Sequence, residues 1–493
     1  LIIFFLTEMW DRFSYYGMRA LLILFLTKHY LFSAKESSLI YAAYTGLVYV
    51  LPIIGGLLAD RYLGQRKAVT FGAILLVLGH LSLAFEGPPP MVEGDTILRS
   101  ELHLNIFFLS LALIITGVGF LKANISTIVG ALYGAKDPRR DGGFTIFYMG
   151  INLGSVFATL VVGYVGEVYG WGYGFGLAGI GMCCGLLVFL WGQKFLDGRA
   201  EPPNVEELKT KVVGFLDREH LIYLLGFVFV IAMWWLVQYQ QLVGAMLGVS
   251  GFIMVGGILT FGFISCTKPE RERLMVATVL IVVQALFWAL FEQQGSSLTL
   301  LADQQFDLTT FGITWQASQV QTLNPAIIVI GGLFFTALWT ILGKRGLEPS
   351  IPVKFGIAML LIGLGYLIFG WGLTITEGTS RSFFWLVIIY LFMTLAELCL
   401  SPVGLSMVTK LSVPRIVGMM MGTWFLFSSL GNYIAGWLAS LTGNEDVSVT
   451  DTGLLDVTAT ADLYSLIGYI ALGTGILLFV LTPILKKGMH GVH

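Results

Sequence analysis

Residues 195–220 read "FLDGRAEPPNVEELKTKVVGFLDREH". The stretch is charged, contains the helix-hostile "EPPN", and stands between long apolar runs. Six runs precede it, at about 1–26, 38–59, 67–85, 104–133, 144–168 and 172–194, each near the ~20 residues that cross a hydrocarbon core. Eight follow, at about 221–240, 245–266, 274–295, 318–342, 350–374, 382–409, 414–442 and 462–485. About fourteen spans result, an even number that puts both ends of the chain on one side.

Composition agrees with that reading. The chain of 493 residues is 56% hydrophobic and 12% charged, with mean hydropathy +0.83. A soluble domain carries roughly 25% charged residues. The first run lacks a basic leader region and is interrupted by charges, so it reads as a span rather than a signal peptide. Cys183, Cys184, Cys266 and Cys399 lie in apolar runs without metal-ligand spacing and read as reduced packing residues. The six histidines are scattered, and His80 in the third run reads as a packing residue. No metal, cofactor or nucleic-acid partner is expected. "LGQRKAV" (63–69) lacks phosphate-loop spacing, and no soluble domain is present to host an enzyme.

Orientation follows from the basic residues in the loops. One side holds Arg61, Arg66 and Lys67, then Lys136, Arg139 and Arg140, then Lys194, Arg199, Lys209, Lys211 and Arg218. It continues through Lys268, Arg271, Arg273, Lys344, Arg345, Lys410, Arg415, Lys486 and Lys487. The other holds only Lys28, Lys35, Arg99 and Arg381, and is acidic at Glu93, Asp95, Glu101, Asp303, Asp307, Glu445, Asp446, Asp451 and Asp456. A count of roughly 20 basic residues against 4 makes the first side cytoplasmic, with both termini inside. Six spans, a hairpin of two and six more then form an all-α membrane protein of the major facilitator type. The expected divisions are an N-terminal bundle (1–194), a linker with an inserted hairpin (195–273) and a C-terminal bundle (274–493). The hairpin runs are uncharged, as suits lipid-facing helices. Pro52, Pro325 and Pro402 fall within spans and are expected to kink them.

Seven charges remain at membrane depth: Glu8, Asp11, Arg12, Arg19, Lys122, Glu292 and Glu397. Each costs about 2.5–3.5 kcal/mol at a helix centre on insertion scales, so their collection in one chain points to a shared aqueous cavity. Glu8, Asp11 and Arg12 have the i, i+3, i+4 spacing of one helical face, which Tyr15, Tyr16 and Arg19 extend. An acid beside a base in a low-dielectric site changes protonation when the pairing changes, as proton coupling requires. Structural salt bridges are the competing reading.

"EMWDRFSYYG" (8–17) resembles the E-x-x-E-R-F-x-Y-Y motif of the proton-dependent oligopeptide transporters, a family of the major facilitator superfamily. "GGLLADRYLGQRKAV" (55–69), "FTIFYMGINLGS" (144–155), "FWALFEQQGS" (287–296), "LNP" (323–325) and "AELCLSPVGLSMVTKL" (396–411) resemble further family stretches. The likeness spans essentially the whole chain and includes the helix pair inserted in prokaryotic members. Asp11 stands where the family motif usually has Glu, one methylene longer. Ala42 stands where animal members place a histidine, so coupling here must use carboxylates.

The resemblance implies a symporter that imports di- and tripeptides with protons. The alternative is a relative carrying another small anion or zwitterion, for example nitrate or a peptide-like compound. It implies proton coupling at Glu8, Asp11, Arg12 and Glu292. Arg19, Lys122, Asn152, Tyr16 and Tyr49 would lie near the peptide carboxylate, and Asn324 and Glu397 at its amino end. Tyr15, Trp288, Ser401 and Trp424 would line the remaining space, with Phe287. Arg19 with Glu292 and Lys122 with Glu397 would form the outer and inner gates. Asp60, Arg61 and Arg66 would steady the outward-facing state. The expected setting is a bacterial inner membrane, with the bilayer and the peptide as partners and a monomer as the working unit.

Overall fold

In the computed structural model residues 1–491 are described, apart from 95, 134–136, 138–139, 197, 215, 311, 377–379 and 444–452, with 140 and 141 described by their backbone alone. Of the loop charges that set the expected orientation, Asp95, Lys136, Arg139, Glu445, Asp446, Asp451 and the Arg140 side chain lie outside the described residues. The helices are α1 (Ile2–Leu24), α2 (Ala34–Leu58), α3 (Gln65–Leu83), α4 (Glu101–Ala131), α5 (Arg140–Phe157), α6 (Gly163–Tyr169), α7 (Trp171–Gly192), α8 (Val205–Leu208) and α9 (Arg218–Leu236). They continue as α10 (Gln240–Ser265), α11 (Lys268–Phe291), α12 (Ser297–Gln305), α13 (Leu323–Lys344), α14 (Ile351–Ile375), α15 (Phe384–Leu411), α16 (Val417–Ser440) and α17 (Val457–Gly488). Strands of two or three residues occur only in the connections among the described residues.

Twelve helical stretches among the described residues are long and apolar enough to cross a membrane; α5 with α6, and α11 with α12, each form one stretch. α1 and α16 have 23 and 24 residues. α1 carries four of the intramembrane charges, and α16 is diluted by Ser428, Ser429 and Asn432. With these two, the fourteen spans expected from the apolar runs are all helices. Pro52 and Pro402 lie inside α2 and α15 as expected. Pro325 lies inside one spanning stretch, Ala317–Lys344, where the 3-10 segment Ala317–Thr322 passes directly into the first turn of α13. Pro483 lies inside α17, which continues through it.

The chain forms two compact units, residues 1–31 with 43–240 and residues 32–42 with 241–493. Within the first, small residues let helices close. An added Cβ at Gly55 of α2 would stand 2.1 Å from the Gly119 carbonyl of α4. Gly154 and Gly150 of α5 accept Met9 and Phe5 of α1, and Gly181 and Gly185 of α7 accept Phe13 and Trp10. α1 is thus gripped on two sides, and its polar stripe is buried inside the unit. α9 packs on α3 and α4 through Phe71, whose ring meets Phe120 at 5.0 Å and Tyr223 at 4.9 Å.

Within the second unit α14 packs on α17 and α15, and α11 on α16, where Gly431 lies against the Ala285 carbonyl. α10 meets α16 through Gly244 beside Tyr433 and Gly251 beside Phe427. The inserted pair therefore divides between the units, α9 with the first and α10 with the second. Phe227, Ile231 and Trp235 of α9 and Phe252, Phe263 and Ile264 of α10 are exposed, a surface suited to lipid. The connection after α7 folds back on the α2–α3 turn. Arg66 holds Glu201 through Nε at 2.5 Å and Nη2 at 2.9 Å, and its backbone N–H donates to Ala200 O at 3.0 Å. Lys67 pairs with Glu219 at 2.6 Å. Asn204 and Asp217 cap α8 and α9.

Candidate functional site

In the first unit, α1 presents its charges as the spacing requires. Arg12 Nε donates to Glu8 Oε1 at 2.8 Å, and Arg12 Nη2 pairs with Asp11 Oδ2 at 2.9 Å. Glu8, Asp11 and Arg12 are 2%, 3% and 5% exposed, so this is a desolvated triad of two acids and one base. The second Glu8 oxygen has no hydrogen-bond partner among the described residues. The Arg12 guanidinium lies 5.8 Å from the Tyr15 ring centre and that of Arg19 lies 5.6 Å from Tyr16; both tyrosine rings meet edge to face at 5.4 Å. Cation, aromatic and cation alternate along the helix, each ring face lowering the cost of the buried charge beside it.

α4 brings Lys122 to the same unit. Its ammonium lies 3.9 Å from the Tyr49 ring centre on α2. The motif helix, Tyr49 and Lys122 all belong to this unit. Asn152 of α5 is buried, and its Nδ2 donates to Tyr148 O at 3.0 Å. The backbone carbonyl so fixes the amide's orientation.

In the second unit, Asn324 Nδ2 donates to Glu397 Oε2 and to Thr394 Oγ1, both at 3.0 Å. Thr394 in turn donates to Tyr390 O at 2.7 Å. An amide in the first turn of α13 thereby orients a carboxylate in the middle of α15. Glu292 follows directly on α11 and is 4% exposed. Trp288 is half-buried between Phe287 and Phe291, with ring centres 5.3 Å from each. Trp424 is buried against Gly404, and its carbonyl accepts Gln284 Nε2 at 3.0 Å. Ser401 is half-buried on α15, one turn beyond Glu397.

The first unit thus gathers Glu8, Asp11, Arg12, Tyr15, Tyr16, Arg19, Tyr49 and Lys122. The second gathers Glu292, Asn324 and Glu397. Thr394 and Gln284 are additional polar members that the sequence reading passed over. Thr394 precedes Glu397 by three residues, so helical spacing could have found it; Gln284 is a lone amide in an apolar run. Chemically, the first set is rich in cations and phenols, and the second holds acids with an orienting amide. Among the described residues no group of three or more His, Cys, Asp or Glu could hold a metal ion.

Two bundles of apolar helices, each with buried charged side chains of its own, belong to a membrane carrier of the major facilitator fold. Residues 66–455 match the family model described as the POT family. The chain is 35% identical to the peptide transporter YePEPT of Yersinia enterocolitica, over 88% of this chain and 85% of that one. It is 34% identical to a di-/tripeptide transporter of Lactococcus lactis, over 99% and 95%. A crystal structure of a variant POT peptide transporter in complex with alafosfalin superposes with TM-score 0.82, at 33% identity, covering 99% of this chain and 95% of that one. The chain belongs to the POT family; it is a transporter and not an enzyme.

Proposed function

We propose that this protein imports di- and tripeptides together with protons, by alternating access, across a bacterial inner membrane, with both termini inside and one chain as the working unit. The observation that carries this reading is chemical complementarity. Arg19 and Lys122 offer cations to a carboxylate, while Glu397, oriented by Asn324 at 3.0 Å, offers an anion to an ammonium. A short peptide with free ends has both groups. Relatives matched over most of the chain are named as peptide and di-/tripeptide transporters, which supports the same substrate class. Tyr15, Tyr16, Tyr49, Asn152, Trp288, Ser401 and Trp424 supply the uncharged surroundings.

Protons are the coupling ion in this proposal. Glu8 and Asp11 share Arg12, and Glu292 and Glu397 are both acids of the second unit. When a peptide carboxylate recruits Arg19 and Lys122, cations are withdrawn from the acids, which favours their protonation. Discharged acids release the helices to move. Arg19 with Glu292 closes the outside and Lys122 with Glu397 the inside, each pair made as the other breaks.

The test is competition against uptake of a labelled dipeptide in proteoliposomes. Unmodified di- and tripeptides should compete, and N-acetylated or C-amidated dipeptides should compete at least tenfold less well, the worth of one charge-assisted hydrogen bond. Competition by nitrate or another small anion, with none by peptides, would establish the alternative substrate class.

A further inference from the structure

The ninth span is not one helix. α11 ends at Phe291, Glu292–Gly295 form a single 3-10 turn, and α12 restarts at Ser297. Ser296 stands between them with φ −129° and ψ −97°, outside the helical region. Such a break frees backbone carbonyls that hydrocarbon cannot satisfy.

Buried side chains of the turn itself and of α12, α14 and α15 satisfy them. Tyr366 of α14 donates its hydroxyl to Leu290 O at 2.6 Å. Thr299 Oγ1 donates to Gln294 O at 2.7 Å, and Tyr390 of α15 reaches the same carbonyl at 3.4 Å. Gln293 Nε2 donates to Ala289 O at 3.2 Å and to Ala435 O of α16 at 2.8 Å. Gln293 Oε1 accepts Ser297 Oγ at 2.6 Å, and Ser297 Oγ is also 2.6 Å from the Tyr464 hydroxyl of α17. Ser297 has one proton and gives it to Gln293, so Tyr464 is the donor in the last bond. The rings of Tyr366 and Tyr464 meet edge to face at 5.1 Å. Gln293, Ser297, Tyr366 and Tyr464 are all 0% exposed.

A continuous apolar helix would need none of these groups, and a polar network in this setting is costly unless every member is satisfied. The network is centred on the turn that begins with Glu292. We propose that Gln293, Ser297, Tyr366 and Tyr464 are positioning residues for coupling: they fix the break in the ninth span so that the Glu292 carboxyl is held in one place. This rests on the reading that Glu292 exchanges the coupling proton. Each hydroxyl acts through the turn and none touches substrate.

The experiment compares two readouts in proteoliposomes of the full chain: dipeptide accumulation driven by an imposed pH gradient, and dipeptide counterflow without one. In Tyr366→Phe, Tyr464→Phe and Ser297→Ala the ratio of accumulation to counterflow should fall about tenfold, the loss expected from one hydrogen bond in a buried network. Ser297→Thr keeps the hydroxyl and should keep the ratio. Tyr464→Phe combined with Glu292→Gln should fall no further than Glu292→Gln alone, because both act through one carboxyl. If a tyrosine variant does not fold, the Ser297→Ala and Ser297→Thr pair decides. A wild-type ratio in every hydroxyl variant, with Glu292→Gln uncoupled, overturns the positioning role alone. Losses that multiply in the double variant also overturn it. A wild-type ratio in Glu292→Gln overturns the proton reading on which it rests.

Discussion

Replacing Asp11 with Asn should remove the proton drive and leave the path. Arg12 is held by two carboxylates, Glu8 at 2.8 Å and Asp11 at 2.9 Å, all three nearly fully buried. Asn at 11 leaves Arg12 paired with Glu8, so no lone charge is stranded. The loss is one charge-assisted hydrogen bond, about 1.5–3 kcal/mol. By contrast, Arg12→Gln leaves two neighbouring buried acids without their base, a loss of about 3–5 kcal/mol that threatens the fold. The assay is labelled dipeptide in proteoliposomes under an inward gradient of one pH unit. One proton per peptide then stores about 1.4 kcal/mol, or roughly tenfold accumulation. Asp11→Asn should bring accumulation to about onefold, and Glu8→Gln should do the same. Counterflow of unlabelled for labelled peptide should survive in at least one of the two. Asp11→Glu, which restores the residue usual in the family motif, should retain coupling. Undiminished accumulation in both neutral variants would refute the reasoning and leave Glu292 as the proton site.

Three further outcomes are expected. Glu397→Gln should weaken competition by peptides with a free amino end by about tenfold or more and spare N-acetylated ones, since only the ammonium loses a charged partner; equal loss for both would remove Glu397 from that role. Glu201 has its carboxyl held below the usual range, chiefly by the Arg66 hydrogen bond, so its folded-state contribution is present above the unfolded value near 4.3 and fades as pH falls through the depressed one. The pair is partly exposed and worth at most about 0.5–1 kcal/mol, so hydrogen exchange in 198–210 should quicken only modestly at low pH, and Glu201→Gln should abolish that dependence. Gly64→Ala should detach the same connection, because Gly64 has φ +71° and an added Cβ would stand 2.5 Å from the backbone of Glu201 and Pro202; unchanged exchange in 198–210 would contradict the docking.

The membrane class and the span count were legible because apolar runs of membrane length leave little ambiguity, and even α1 was recognisable with four charges in it. The α1 triad was legible because helical spacing alone brings Glu8, Asp11 and Arg12 together. Tyr49 with Lys122 and Asn324 with Glu397 join different helices, so spacing could not place them. The break at Glu292–Gly295 was not legible. Its cause is distributed over Tyr366, Tyr390, Ala435 and Tyr464, and a tyrosine in an apolar span looks like packing until its hydroxyl has an address. Pro325, read as a kink, stands where its span passes from the 3-10 segment Ala317–Thr322 into α13. The Arg66–Glu201 pair was hidden by a sequence separation of 135 residues.

The most direct measurement of the central claim is the pH inside proteoliposomes, followed with a trapped dye while peptide is added outside and the membrane potential is clamped. A dipeptide with free ends should acidify the lumen as it enters, an equal concentration of its N-acetylated form should do so far less, and Asp11→Asn should abolish the signal. Entry of labelled dipeptide with no change in lumenal pH would contradict that claim.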